Sequence, residues 1–132
     1  MSRIVLGFDF GLARIGVATG QRVTSTATPL TVLRAKQGQP DWSEVTQIVE
    51  TWQPELFVVG LPLNMDTSVG TLAQLSTKFA RRLEGRFGLS AHLIDERLSS
   101  LAARQMTTAE QIDDVAAALI LETWLNEQSP RD

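Results

Sequence analysis

The stretch Arg3–Phe10, reading RIVLGFDF, constrains the fold more than any other part of the sequence. Ile4, Leu6 and Phe8 line one side of an extended chain, and Val5, Gly7 and Asp9 line the other. Both sides are largely apolar, which is the pattern of a central strand covered on two faces. Such a strand needs partners on both flanks and helices above and below it. The chain is therefore expected to build a layered α/β core. Its 132 residues suit one compact domain, which at this size buries about two-thirds of the surface of the unfolded chain.

The rest of the sequence supplies the remaining layers. Ile15–Thr19 follows a turn over Gly11, Leu12, Ala13 and Arg14 and reads as a hairpin partner. Val23–Leu33 is rich in Thr and Val and reads as a third strand. Asp41 is placed to cap a helix, with Glu44 three residues later in a capping-box position. Trp42, Val45, Ile48, Val49 and Trp52 give that helix an apolar stripe, and Pro54 stops it. Leu56–Gly60 is a buried strand and Ala91–Asp95 another. Between them lies a helix ending near Gly88, with Val69, Leu72, Ser76, Phe79 and Leu83 near one face. A short helix is expected near Ser99 and a last one from about Ile112 to Asn126. This order predicts a mixed five-stranded sheet with helices on both faces. The expected domain is 1–127, followed by a short tail, 128–132.

Several classes of function fall away. The chain has no cysteine, which excludes disulfides, thiolate nucleophiles and Cys-type zinc sites. That composition fits a reducing cytoplasm, the expected location. No apolar run approaches the roughly 18 residues of a membrane helix. Arg3 and Asp9 charge the opening segment too early for a leader peptide. A formal net charge of −3 argues against a passive nucleic-acid coat protein. It does not argue against a metal-dependent nuclease, whose acids are offset by bound cations.

Three groups of acids stand where surface acids are not expected. Asp9 ends the buried strand, and Gly7, on the same side, is expected to leave room beside it. Asp95 and Glu96 end another strand and alternate between faces, so at most one joins Asp9 directly. Asp113 falls in helical line with Ala117, Ile120 and Trp124, the positions that must pack on the sheet, whereas Asp114 falls on the flank. A favourable interaction with the helix dipole explains Asp114 better than Asp113. Ala116, Ala117 and Ala118 are small enough for close approach of helix and sheet. Two carboxylates about 4 Å apart repel by roughly 4 kcal/mol at an effective dielectric of 20, so a convergent cluster needs protons or cations. Mg²⁺ or Mn²⁺ suits an all-oxygen donor set, and a pair of such ions suits phosphodiester hydrolysis.

Four segments in order, Phe8–Ala18 (FDFGLARIGVA), Val59–Asp66 (VGLPLNMD), Asp95–Ser99 (DERLS) and Asp113–Leu121 (DDVAAALIL), resemble the YqgF/RuvX family. These are proposed pre-16S rRNA nucleases, similar to Holliday-junction resolvases. The resemblance implies a ribonuclease H-like sheet in the order 3-2-1-4-5. It also implies a metal-dependent endonuclease that matures the 5′ end of pre-16S rRNA, with RNA or a ribosomal precursor particle as partner. It assigns Asp9, Glu96 and Asp113 as catalytic acids and metal ligands. It assigns substrate contacts to Arg14, Asn64 and Arg97, with Asp95 also on a motif position. Structured DNA is a further expected partner, and the expected state is a monomer or weak homodimer. Two departures stand out. Segment 101–112 is shorter than is usual in the family and carries Arg104 as its only base, and Thr67 stands where glycine often follows NMD.

Other signals read as structure. Lys78, Arg81, Arg82 and Arg86 cluster along one helix side, where a solvated face is favoured over phosphate binding. His92, the single histidine, reads as a half-exposed strand residue, and the tryptophans as core or boundary. Competing functions are a Holliday-junction or single-stranded DNA nuclease, a non-catalytic RNA-binding, ribosome-assembly or transcription-related factor, and an actin-like ATPase. The last needs two such domains around its nucleotide, and this chain has length for one.

Overall fold

The computed structural model describes residues 3–61, 69–95 and 112–128. Its strands are β1 (Ile4–Asp9), β2 (Arg14–Gln21), β3 (Thr26–Lys36), β4 (Gln39–Pro40), β5 (Leu56–Leu61) and β6 (Ala91–Asp95). Its helices are α1 (Trp42–Trp52), α2 (Val69–Phe87) and α3 (Ile112–Gln128). They form one mixed sheet in the order β4-β3-β2-β1-β5-β6. β1 runs antiparallel to β2 and parallel to β5, and β6 continues the parallel half.

The five long strands follow the expected order. The sixth, β4, is a two-residue strand that pairs with Ala35 and Lys36 beyond the β3 turn. It is too short to leave a pattern in the sequence. The third strand is shifted from the expected Val23–Leu33 to Thr26–Lys36. Residues 22–25 form the turn instead, with Ser25 at φ 56, so the strand preference of the β-branched Val23 and Thr24 is overridden there. Asp41 caps α1, but its carboxylate accepts from the backbone N–H and hydroxyl of Ser43, at 3.0 and 2.6 Å. The helix ends at Gln53, in the left-handed region, one residue before Pro54.

Two apolar layers cover the sheet, one on each side. Leu6, Phe8, Phe10, Val17, Phe57 and Val59 pack with Val45 of α1 and with Phe79 and Leu83 of α2. Val5, Ala18, Val58 and Ile94 pack with Ala117, Ile120, Leu121 and Trp124 of α3. Strand alternation sorts these sets, as expected for a central strand buried on both faces. Trp42 is half-buried and Trp124 is in the core, but Trp52 is exposed at the end of α1. His92 is exposed and its ring lies 5.4 Å from that of Trp124. No described helix is long and apolar enough to cross a membrane.

Candidate active site

Asp9 is the last residue of β1 and is only 8 % exposed. Its register partners are Gly16 on β2 and Gly60 on β5. The candidate acid is thus flanked on both neighbouring strands by residues without side chains. By alternation it shares the face of Val5 and Gly7, which is the α3 face. The sequence exposes Asp9 through its parity with Val5. It gives no hint of the flanking glycines, because their register is a long-range property.

Helix α3 closes on this face through glycines. A side chain on Gly20 would meet Leu121 and Leu125, one on Gly7 would meet Leu121, and one on Gly60 would meet Ile120. Gly7 therefore does not leave open room beside Asp9; its missing side chain is the space that Leu121 fills. Gly20 is level with Val5 on β1, and Gly60 is level with Asp9. The contacts thus step from the start of β1 towards its end as α3 is followed from Leu125 back to Ile120. Asp113, in the first turn, lies eight residues before Leu121, about 12 Å of helix, whereas Gly7 and Asp9 are separated by about 7 Å of strand. The amino-terminal turn of α3, with its partial positive charge, accordingly stands at the edge where β1 ends. Asp113 is in helical line with Ala117, Ile120 and Trp124, all buried.

The same edge collects the ends of the parallel strands. Gly60 pairs with Asp9 and with Ile94, and one residue further Leu61 pairs with Asp95, the end of β6. Open α/β sheets bind ligands in this position, beyond the carboxyl ends of their strands. Ser76 of α2, fully buried, donates to the Gly60 carbonyl at 3.2 Å and fixes the end of β5 next to Asp9. The sequence presents Ser76 only as a weak member of an apolar stripe. Arg14, the first residue of β2, is exposed where the chain returns from the turn after Asp9. That turn is tight: a side chain on Gly11 would lie 2.5 Å from the Arg14 carbonyl oxygen.

Of the six expected site residues, Asp9 and Arg14 are described in full and Asp113 in its backbone alone, and the backbone brings the first two and the first turn of α3 to one edge. Asn64, Glu96 and Arg97, the short helix near Ser99 and segment 101–111 lie outside the described residues. Among the described residues no three His, Cys, Asp or Glu side chains gather into a metal-sized group.

Comparisons with known proteins agree with this architecture. A family model for RuvX, described as Holliday junction resolvase, matches residues 3–127. A Nitrosococcus oceani protein named "Putative pre-16S rRNA nuclease" is 51 % identical over 96 % of this chain and 88 % of its own. An Azotobacter vinelandii protein of the same name is 47 % identical over 96 % and 95 %. Among solved structures, Thermus thermophilus RuvC in complex with a Holliday junction substrate superposes with a TM-score of 0.62 at 11 % identity, covering 96 % of both chains. The fowlpox virus Holliday junction resolvase superposes with a TM-score of 0.51 at 11 % identity, covering 94 % of this chain and 97 % of that one. At such identities the likeness is one of fold, and the fold is the ribonuclease H-like one. Matched from Arg3 to Glu127 and nearly half identical to its relatives along their length, the chain belongs to the RuvX family.

Proposed function

We propose that this protein is an endonuclease that hydrolyses phosphodiester bonds in the 5′-end maturation of pre-16S rRNA in the cytoplasm, and that residues 1–127 form its nuclease domain. The observation that carries the reading is Asp9, a nearly buried carboxylate at the carboxyl end of the central strand, on the face and at the edge reached by the first turn of α3. The names of its relatives support the substrate.

Asp9, Glu96 and Asp113 are the proposed acids. Glu96 is preferred to Asp95 on its place in the DERLS motif. The helical line that Asp113 shares with the buried Ala117, Ile120 and Trp124 supports its choice over Asp114. The donor chemistry fits hard divalent cations: the acids offer oxygen alone, with no sulfur and no imidazole among them. These three residues would hold the Mg²⁺ or Mn²⁺ ions. When bound, such ions supply positive charge that offsets carboxylate repulsion and stabilises the charge that develops in phosphodiester hydrolysis.

The chain's own groups do the rest. Arg14, on the turn, is suited to grip a phosphate through two parallel hydrogen bonds, and Asn64 and Arg97 are further proposed contacts.

The test is a cleavage panel in Mg²⁺ or Mn²⁺ that compares RNA spanning the precursor's 5′ boundary with single-stranded DNA and a four-way DNA junction. Preferential cut of the precursor RNA at the mature end supports the reading. Cleavage of the junction alone makes the protein a resolvase, and no cleavage of any substrate makes it a binding factor.

A further inference from the structure

We propose that the line Lys78–Arg82–Arg86 on α2 is a second nucleic-acid contact, which takes backbone phosphates outside the bond that is cut. The inference rests on the nuclease reading for the kind of partner; its position, charge and rigidity are independent observations.

Position comes first. Phe10, the residue after Asp9, points to the opposite side of the sheet and packs against Phe79 of α2. It lines a pocket of about 50 Å³ shared with Gln39, Trp42, Lys78 and Arg82, room for a water or a single phosphate oxygen. The turn before β4 is fastened to the turn after β1, where the Gly38 N–H donates to the Leu12 carbonyl at 2.9 Å. The pocket therefore sits at the same edge as Asp9, one layer across. A strand that passes the acid and rounds the Arg14 turn arrives at α2.

Charge is concentrated there. In a chain of net charge −3 with 12 Lys and Arg, α2 alone carries Lys78, Arg81, Arg82 and Arg86 against one acid, Glu84. Arg81 pairs with Glu84 at 2.7 Å. It is the one member of the four whose charge is taken up by a carboxylate among the described residues. Asp41, the acid nearest Trp42 in sequence, is tied to Ser43. The remaining three are exposed and recur every fourth residue, about 6 Å apart along the helix, the order of spacing between successive phosphates on one strand.

Rigidity separates this face from an ordinary solvated one. The Arg86 guanidinium lies 4.8 Å from the centre of the Trp42 ring and that of Arg82 6.0 Å. Arg82 also donates to the side-chain oxygen of Gln39 at 2.9 Å. A guanidinium held against an aromatic face keeps its other donors outward and gives up little freedom when a phosphate arrives.

A staple that merely joins α1 to α2 predicts the same contacts but no role in binding, and salt separates the two. Labelled single-stranded RNA and DNA of one sequence are titrated with full-length Asp9→Asn protein over a range of salt, so that cleavage does not intervene. Adding Lys78→Ala with Arg82→Gln is expected to weaken RNA binding at least about tenfold. It should also reduce the slope of log K against log salt by about 1.4, the value for two phosphate contacts on a single strand. Arg81→Gln should change neither. Lys78→Ala alone, at an exposed residue, should lower the slope by about 0.7 with an unaltered thermal midpoint, so loss of fold cannot imitate the result. An equal loss on DNA identifies the backbone phosphates as the ligand, and a loss confined to RNA narrows it to ribose-bearing strands. Unchanged slopes, an Arg81→Gln effect as large as the others, or no binding by the parent protein overturns the proposal. Absence of cleavage of every RNA and DNA substrate by the parent protein would sink the nuclease reading while leaving this binding result intact, so the two fail separately.

Discussion

Asp9 on β1 and Gly60 on β5 are register partners in the parallel ladder at the middle of the sheet. Ile120 of α3 occupies the space that a side chain on Gly60 would need. The pair ties the candidate acid to the helix that carries Asp113. The acid's surroundings are thus set by how closely α3 can approach, and glycines set that approach.

Two glycines on this face should respond unequally to alanine. At Gly60 a new methyl would stand 2.6 Å from Ile120 Cδ1, the mobile end of a side chain, while at Gly7 it would stand 2.8 Å from Leu121 Cβ. The first clash is relieved by a rotamer change and the second only by moving the helix. Gly7→Ala is expected to cost about 1–3 kcal/mol, with Gly60→Ala at about 1 kcal/mol or less. Urea unfolding of both variants measures this, and a reversed order would refute the account of α3 packing.

A pH effect follows from Glu84. Hydrogen bonds from the Ala91 backbone N–H, at 3.0 Å, and from Arg81 hold its carboxyl below the ordinary glutamate value. A carboxyl depressed in the folded state contributes stability that is present above its unfolded value of about 4.3 and is lost as pH falls through the folded one. Glu84→Gln should therefore lower the thermal midpoint at neutral pH and flatten its acid limb, so that the two proteins converge as pH falls below the folded value of the parent's carboxyl. An acid limb identical to that of the parent would contradict this role at the start of β6.

Metal binding should be visible without turnover. A ligand that binds only the folded chain stabilises it by about 2.7 kcal/mol at a hundred times its Kd. Mn²⁺ is expected to raise the thermal midpoint of the parent protein and to leave Asp9→Asn unmoved. A similar shift in both would place the ion elsewhere.

Much of the fold around Asp9 was legible in the sequence. The two-sided apolar run around Asp9 required a central strand, and parity alone assigned the acid to the side of Val5. Helical counting put Asp113 in line with Ala117, Ile120 and Trp124, and all three of those are buried. What pattern cannot supply is register. Gly16 and Gly60 became neighbours of Asp9 only through strand pairing, and Ser76 became an anchor only when the Gly60 carbonyl arrived opposite it. Gly7 was legible as a gap but not as one filled by Leu121. Trp52 keeps helical spacing with the core yet ends α1 exposed, at the last residue of the helix. The basic line on α2 read as a solvated face because nothing local to that helix reveals Trp42 beneath it.

The central claim is that Asp9 serves hydrolysis of a phosphodiester, and its most direct test is Mg²⁺-supported cleavage of precursor 16S RNA by the parent protein and by Asp9→Asn. The account predicts a rate lowered at least about a hundredfold, the loss typical of a group acting at the reacting atoms, in a variant with an unchanged circular dichroism spectrum. Equal rates for the two proteins would contradict it.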